Sequence, residues 1–138
     1  MEGSKRDYLP MSHSIQLSKK ISPKTHKERN RMSSISYGSI VGSIMYTMLC
    51  TRLDVAYALG TVSGFQVDLG KDHWKAMKNI LKYLRRTRDI FLIYGGFDLK
   101  LKGYTNSSFQ SDPDDSKSIS GYVFTLYSGA ISWKNFKQ

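Results

Sequence analysis

Apolar positions recur at three- and four-residue steps through the middle of this chain and at two-residue steps towards its end. In "SYGSIVGSIMYTMLC", Tyr37, Ile40, Val41, Ile44, Met45, Met48 and Leu49 share one face of a predicted helix. Ser36 stands at the expected N-cap. Gly38 and Gly42 weaken the helix but would leave room for a close neighbour. "TRLDVAYALGTVSGF" predicts a second helix, capped near Thr51 or Asp54, with Val55, Ala58, Leu59 and Val62 on one side. "DHWKAMKNILKYLRR" predicts a third, with Trp74, Met77, Ile80, Leu81 and Leu84 as its apolar stripe. Ahead of these, "DYLPMSHSIQLSK" alternates loosely through Met11, Ile15 and Leu17, and "KKISPKTHKERNRMSS" reads as a charged connector. Pro10 and Pro23 oppose a long helix there. After "TRD" the period changes to two. "IFLIYGG", "LKLKGYTNSSF" and "SISGYVFTLYSGAISWKNF" predict strands, the last of these a pair joined by a turn at Ser128-Gly129.

Helices first and strands after predict an α+β protein: about three N-terminal helices followed by a small, mainly antiparallel sheet. Three regions follow: an irregular basic segment over 1–36, a helical region over 37–96 and strands over 97–138. A length of 138 residues suits one domain with a modest core. No apolar run approaches the ~18 residues of a membrane span, so no membrane partner is expected. "MEGSKRDYLPMSHS" lacks the apolar core of a signal peptide, so the chain is expected not to be secreted, leaving a cytoplasmic or nuclear site open. Cys50 is the single cysteine, which excludes an intrachain disulfide and a cysteine zinc cluster.

Charge adds a partner to this picture. Lys and Arg number 21 against 11 Asp and Glu, a net charge of +10. Residues 1–36 carry eight basic and three acidic groups, net +5, and residues 71–102 carry nine and three, net +6. The segment between them is close to neutral. Two basic blocks around an apolar segment point to a polyanion, and nucleic acid is the commonest one. Within the third helix Lys71, Lys75, Lys78, Lys82, Arg85 and Arg86 recur at helical spacing, with Arg88 just beyond. Such a stripe can follow a phosphate backbone without reading sequence. It is equally the solvated face of a helix whose other side is buried, and the sequence leaves both readings open.

Other chemistry is thin. His13, His26 and His73 have no HExxH spacing and no cysteine partners, so they are expected at the surface. Ser107 and Ser108 lack a nucleophile elbow, and no phosphate-cradling G-x-x-x-x-G-K-[ST] loop is present. "DPDDSKSISGYV" has Asp112 and Asp114 at calcium-loop spacing, but Lys117 stands where such a loop needs Gly and Val123 where it needs Glu. An exposed turn through Asp112-Pro113 is the expectation. Upstream, Asn106 stands mid-strand in "LKGYTNSSFQSDPDD". A neutral amide oxygen is a weak ligand for Mg²⁺.

Taken together, "SYGSIVGSIMYTMLCTRLDVAYALG", "DHWKAMKNILKYLRRTRD" and "KGYTNSSFQSDPDDSKSISGYVFTLYSGAISWKNFKQ" resemble the polyprotein of copia-type LTR retrotransposons, over nearly the whole chain. The resemblance implies that the helices are the thumb and connection of a reverse transcriptase. It implies that the strands from Leu99 open a truncated ribonuclease H-like sheet. The family's T-D-A-S-F, whose Asp is the first metal ligand of ribonuclease H, here reads Thr105-Asn106-Ser107-Ser108-Phe109. The resemblance places the other ligands past Gln138 and the polymerase carboxylates before Met1. Leu53 replaces the Pro of the family's T-R-P-D, and Gly64 stands where Arg is usual. The expectation is a degenerate polyprotein fragment, not itself an enzyme and without a metal or other cofactor, whose parent is an RNA-directed DNA polymerase with ribonuclease H using Mg²⁺. Nucleic acid, RNA or DNA without sequence preference, is the expected partner, together with self-association through an open sheet. The alternatives are a co-opted protein-interaction module and a non-functional reading frame.

Overall fold

The computed structural model describes residues 9–12, 15, 17–96, 99–108, 114 and 116–137. The fold is α+β. Four helices, α1 His26–Ser33, α2 Tyr37–Cys50, α3 Ala56–Ser63 and α4 Lys71–Arg86, precede three strands, β1 Lys102–Ser108, β2 Ile119–Leu126 and β3 Gly129–Lys137.

Helix α1 lies inside the segment expected to be irregular. Its cause is local. Thr25 Oγ1 accepts from the Glu28 N–H, and the Glu28 carboxylate accepts from the N–H groups of Thr25 and Lys24. This reciprocal capping box satisfies donors that a helix start otherwise leaves unpaired. The same backbone donors hold the Glu28 carboxyl below its usual range. None of α1's residues is fully buried. Its existence rests on the cap more than on packing.

In α2 the buried positions are Tyr37, Val41 and Ile44. Met45 and Leu49, read as part of the same stripe, are exposed. At about 100° per residue they lie about 80° and 120° around the helix from Tyr37, outside the arc that faces the core. Ser36 occupies the N-cap position but its side chain makes no capping bond. The Tyr37 hydroxyl donates to the Val62 carbonyl at 2.9 Å, tying α2 to α3. Burial pushes this phenol up to about 12. Gly42 does not admit a neighbour as expected: a side chain there would meet open space. The second helix begins with a 3-10 turn, Leu53–Val55, and α3 proper starts at Ala56. Neither Thr51 nor Asp54 caps it; Asp54 is engaged elsewhere. Val55, Ala58, Leu59 and Val62 are buried as their spacing predicts.

The core is helical. Among the described residues its buried members run from Met11 and Leu17 through α2 and α3 to Ala76, Met77 and Ile80 of α4. The sheet is a meander in the order β1-β2-β3, antiparallel throughout. It joins the helices through β3. The Trp133 indole N–H donates to the Met48 carbonyl at 3.1 Å, and Asn135 lies against Gly60 of α3. The β2–β3 turn is Tyr127-Ser128, one residue earlier than read. Both residues have positive φ, 50° and 63°, the twist that suits a two-residue hairpin. Gly129 begins β3 because Tyr94 packs against it, where a side chain would collide with the ring. Residues 90–96, read as a strand, form none. They dock on the hairpin by the Gly95 N–H to the Tyr127 carbonyl and the Tyr94 hydroxyl to the Ala130 carbonyl, leaving Ile90, Phe91 and Ile93 exposed.

Candidate nucleic-acid interface

Helix α4 begins after Gly70, carries Asp72 in its first turn and Arg85 and Arg86 in its last. That charge order suits the helix dipole. Its buried face is His73, Ala76, Met77 and Ile80. Trp74, Leu81 and Leu84, expected in that stripe, are only partly buried. Trp74 sits at the border, edge-on to Tyr37 with ring centroids 6.5 Å apart.

The cations lie opposite. At about 100° per residue, Lys71, Lys75, Lys78, Lys82, Arg85 and Arg86 fall within an arc of about 100°, over about 22 Å of axis. Lys71, Lys75, Arg85 and Arg86 are exposed; Lys78 and Lys82 are half-buried. Lys78 lays its stem along Trp74, with Nζ 5.9 Å from the ring centroid. Such a lysine covers apolar surface while its ammonium stays at the surface. Arg88 lies beyond the helix, in a turn, with Asp89 at 3.6 Å. The structure thus brings six of the seven predicted basic residues onto one helical face and sets Arg88 apart.

What orients that face was not foreseen. Arg52 is 6% exposed, although it is the one basic residue in 37–70. Its Nε and Nη2 donate to the two Asp54 carboxylate oxygens at 3.0 and 2.8 Å. Its Nη1 donates to the Thr87 carbonyl at 3.1 Å, and Nη2 also donates to the Thr87 hydroxyl. The Tyr83 hydroxyl donates to Asp54 Oδ2 at 2.7 Å. Burial pulls the Asp54 carboxyl up, but Arg52 and Tyr83 outweigh it and leave it below its usual range. The knot fastens the last turn of α4 to the α2–α3 junction. A lone arginine followed two residues later by an aspartate, in an otherwise apolar stretch, was the available signal.

His73 is a second correction. It is fully buried, not at the surface as expected, because its ring stacks on Phe65 and both nitrogens are hydrogen-bonded. His26, at the start of α1, is exposed, and His13 lies outside the described residues.

Asn106 lies on β1, exposed, opposite Gly121 of β2. Among the described residues no three His, Cys, Asp or Glu side chains gather into a metal-holding group. Asp112 and Pro113 lie outside the described residues. Asp114 accepts the Lys19 N–H on both carboxylate oxygens, at 3.0 and 2.9 Å. No helix of the described residues is long and apolar enough to cross a membrane.

Comparison with known proteins adds the relatives. Over 135 residues, 98% of the chain, it is 47% identical to the retrovirus-related Pol polyprotein from transposon TNT 1-94 of Nicotiana tabacum. It is 39% identical over 104 residues to the corresponding polyprotein from transposon RE2 of Arabidopsis thaliana. The chain spans 10% of the first polyprotein and 7% of the second. It is also 40% identical over 108 residues to secreted RxLR effector protein 161 of Plasmopara viticola, covering 76% of that protein and 78% of itself. No family model matches the chain, and no solved structure matches it.

Proposed function

The chain belongs to the copia-type retrotransposon Pol polyproteins, and from that premise we propose that it is a non-catalytic piece of such a polyprotein that binds nucleic-acid backbone through α4. The observation that carries this reading is the cation face: six basic side chains on one side of a helix whose other side is anchored in the core. By the same reading α2 to α4 are the thumb and connection of a reverse transcriptase, and the meander β1–β2–β3 is the opening of a ribonuclease H-like sheet. The antiparallel order of the strands supports that assignment.

Binding should be weak, indifferent to sequence and dependent on salt. With about four phosphates neutralised, the log–log salt slope is about −3 to −4, from ~0.7–0.9 per phosphate. Fluorescence anisotropy on duplex DNA and on an RNA–DNA hybrid measures it. Replacing Lys75, Lys78 and Lys82 by Gln should flatten the slope by about two units. An unchanged slope moves the contact away from α4. The same hybrid with Mg²⁺ or Mn²⁺ should stay uncut, and Asn106→Asp should not rescue cleavage, because one carboxylate cannot hold two metals. Cleavage above a mock preparation would overturn the non-catalytic part.

One observation favours a second reading, a short protein co-opted for interaction with a protein partner. The Plasmopara viticola relative is matched over 76% of its own length, so this stretch of sequence also occurs in a protein of about this size. Polymerase-coding sequence directly flanking the gene favours the first reading, and its absence the second.

A further inference from the structure

His73 occupies the third position of α4 and is fully buried. Its ring lies on Phe65, centroids 4.1 Å apart and planes 10° from parallel. Nδ1 accepts the Gly70 N–H at 3.0 Å, which assigns the ring proton to Nε2, and Nε2–H donates to the Ser18 carbonyl at 3.2 Å. The imidazole thus bolts a strap, residues 17–22, across the start of α4. The strap has other fastenings. Leu17 is in the core, Lys19 N–H is held by Asp114, and Ser22 Oγ donates to the Asp68 carbonyl at 3.0 Å. The Ile21 carbonyl lies so close to Gly70 that no side chain fits there.

We propose that His73 is a proton-operated latch: uptake of a second ring proton releases residues 17–22 from α4 while the helical core stays folded. A proton on Nδ1 sets one donor against another, the Gly70 N–H, inside a dry contact. The cation would also sit in the first turn of a helix, where the dipole disfavours it. Burial acts the same way and holds the imidazole below its ordinary range. The surrounding charges are mixed. Asp72 on α4 and Asp114 on the β1–β2 connection favour the cation, as do the backbone groups of Ser18 and Asp68. Lys71 in the first turn of α4 and Lys19 and Lys20 on the strap are the further charged side chains of these two segments. The released form binds the proton more readily than the latched one, so release is coupled to a fall in pH through the ordinary imidazole value of 6.5. The core can outlast the strap: among the described residues, Met11 and Leu17 are the core members that precede α1, and the rest lie on α2 to α4 and their connections.

Amide hydrogen exchange on the whole chain at about pH 7.5 and about pH 5, corrected for intrinsic rates, tests this alongside an NMR titration of the His73 ring. Protection over 17–22 should fall at least tenfold at the lower pH, with the midpoint of the ring titration. Protection over 41–48 and 76–80 should change less than twofold. In His73→Gln the difference between the two pH values should vanish. Asp114→Asn should keep the transition and, with one fastening of the strap weakened, move release to higher pH. Strap protection that does not change, or is lost together with α2 and α4, overturns the latch. If His73→Gln does not fold, the native chain decides alone: a strap transition that fails to track the ring titration also overturns it.

Discussion

At the scale of single residues, Arg52 ties the α2–α3 junction to the end of α4. Its guanidinium serves Asp54 in a fork and closes the C-terminus of α4 at Thr87. Removing Arg52 leaves Asp54, whose side chain is 34% exposed, without its partner and the Thr87 carbonyl without this donor. Arg52→Ala should therefore cost about 2 kcal/mol, read as a lower urea midpoint with an unchanged slope. Arg52→Lys should recover little of it, since an ammonium cannot span Asp54 and Thr87 together; full recovery would show that charge alone matters. Two buried titratable groups shape the response to pH. Below 6.5 the unfolded chain takes up a proton more readily than the latched His73 does, so the stability of the latched state falls with pH there. Between pH 10 and about 12 the folded Tyr37 keeps a proton that the unfolded chain releases, so stability falls as pH rises through that window. Urea unfolding across pH should show both limbs. His73→Gln should flatten the acid one and Tyr37→Phe much of the alkaline one; limbs that survive these variants would assign them to other groups.

At the scale of elements, legibility followed the source of each element's stability. Helix α4, long and two-faced, was plain in the spacing of its residues, and so was the α3 face of Val55, Ala58, Leu59 and Val62. Which residue of α4 is deepest was not plain. A histidine at 73 counts as polar in any pattern, yet both its nitrogens are satisfied and it displaces Trp74 to the border. Helix α1 was missed because apolar period was the criterion and α1 has almost none. Its signal was the capping box in "THKE", four residues that say where a helix starts and nothing about packing. Segment 90–96 failed in the opposite way. Its apolar run looks like a strand, but Tyr94 is committed to the β2–β3 hairpin and the Gly95 N–H bond to Tyr127 does not extend into a ladder. Since α1 rests on its cap, Thr25→Ala should loosen it by about 1 kcal/mol. Hydrogen exchange over 26–33 should rise several-fold, with the exchange of α2 unchanged. Equal protection in the variant would show that α1 is held by packing after all.

At the scale of the whole molecule, a strongly basic helical body carries a sheet that, among the described residues, it meets chiefly along β3. The face bearing Trp133 and Asn135 meets the helices. By the strand register, the other face gathers Tyr122, Phe124 and Phe136, with the Phe124 ring lying over Gly103. Phe124 and Phe136 are 39% and 40% exposed, and Tyr104 on the edge strand β1 is 59% exposed. Among the described residues no strand pairs with the outer edge of β1. An unpaired edge beside exposed aromatics is a template for another chain. The net charge of +10 opposes that approach. Screening removes the opposition, since the Debye length falls from about 10 Å at 0.1 M salt to about 3 Å at 1 M, while apolar association persists. The expected outcome is a chain that self-associates at micromolar concentration, with oligomers growing as salt rises. Nucleic-acid binding runs the other way, weakening with salt, so one titration separates the two surfaces. Phe124→Lys should hold the chain monomeric to higher salt without touching the cation face of α4. Sedimentation that reports a monomer at both low and high salt would show that the exposed face and edge are protected by means other than charge.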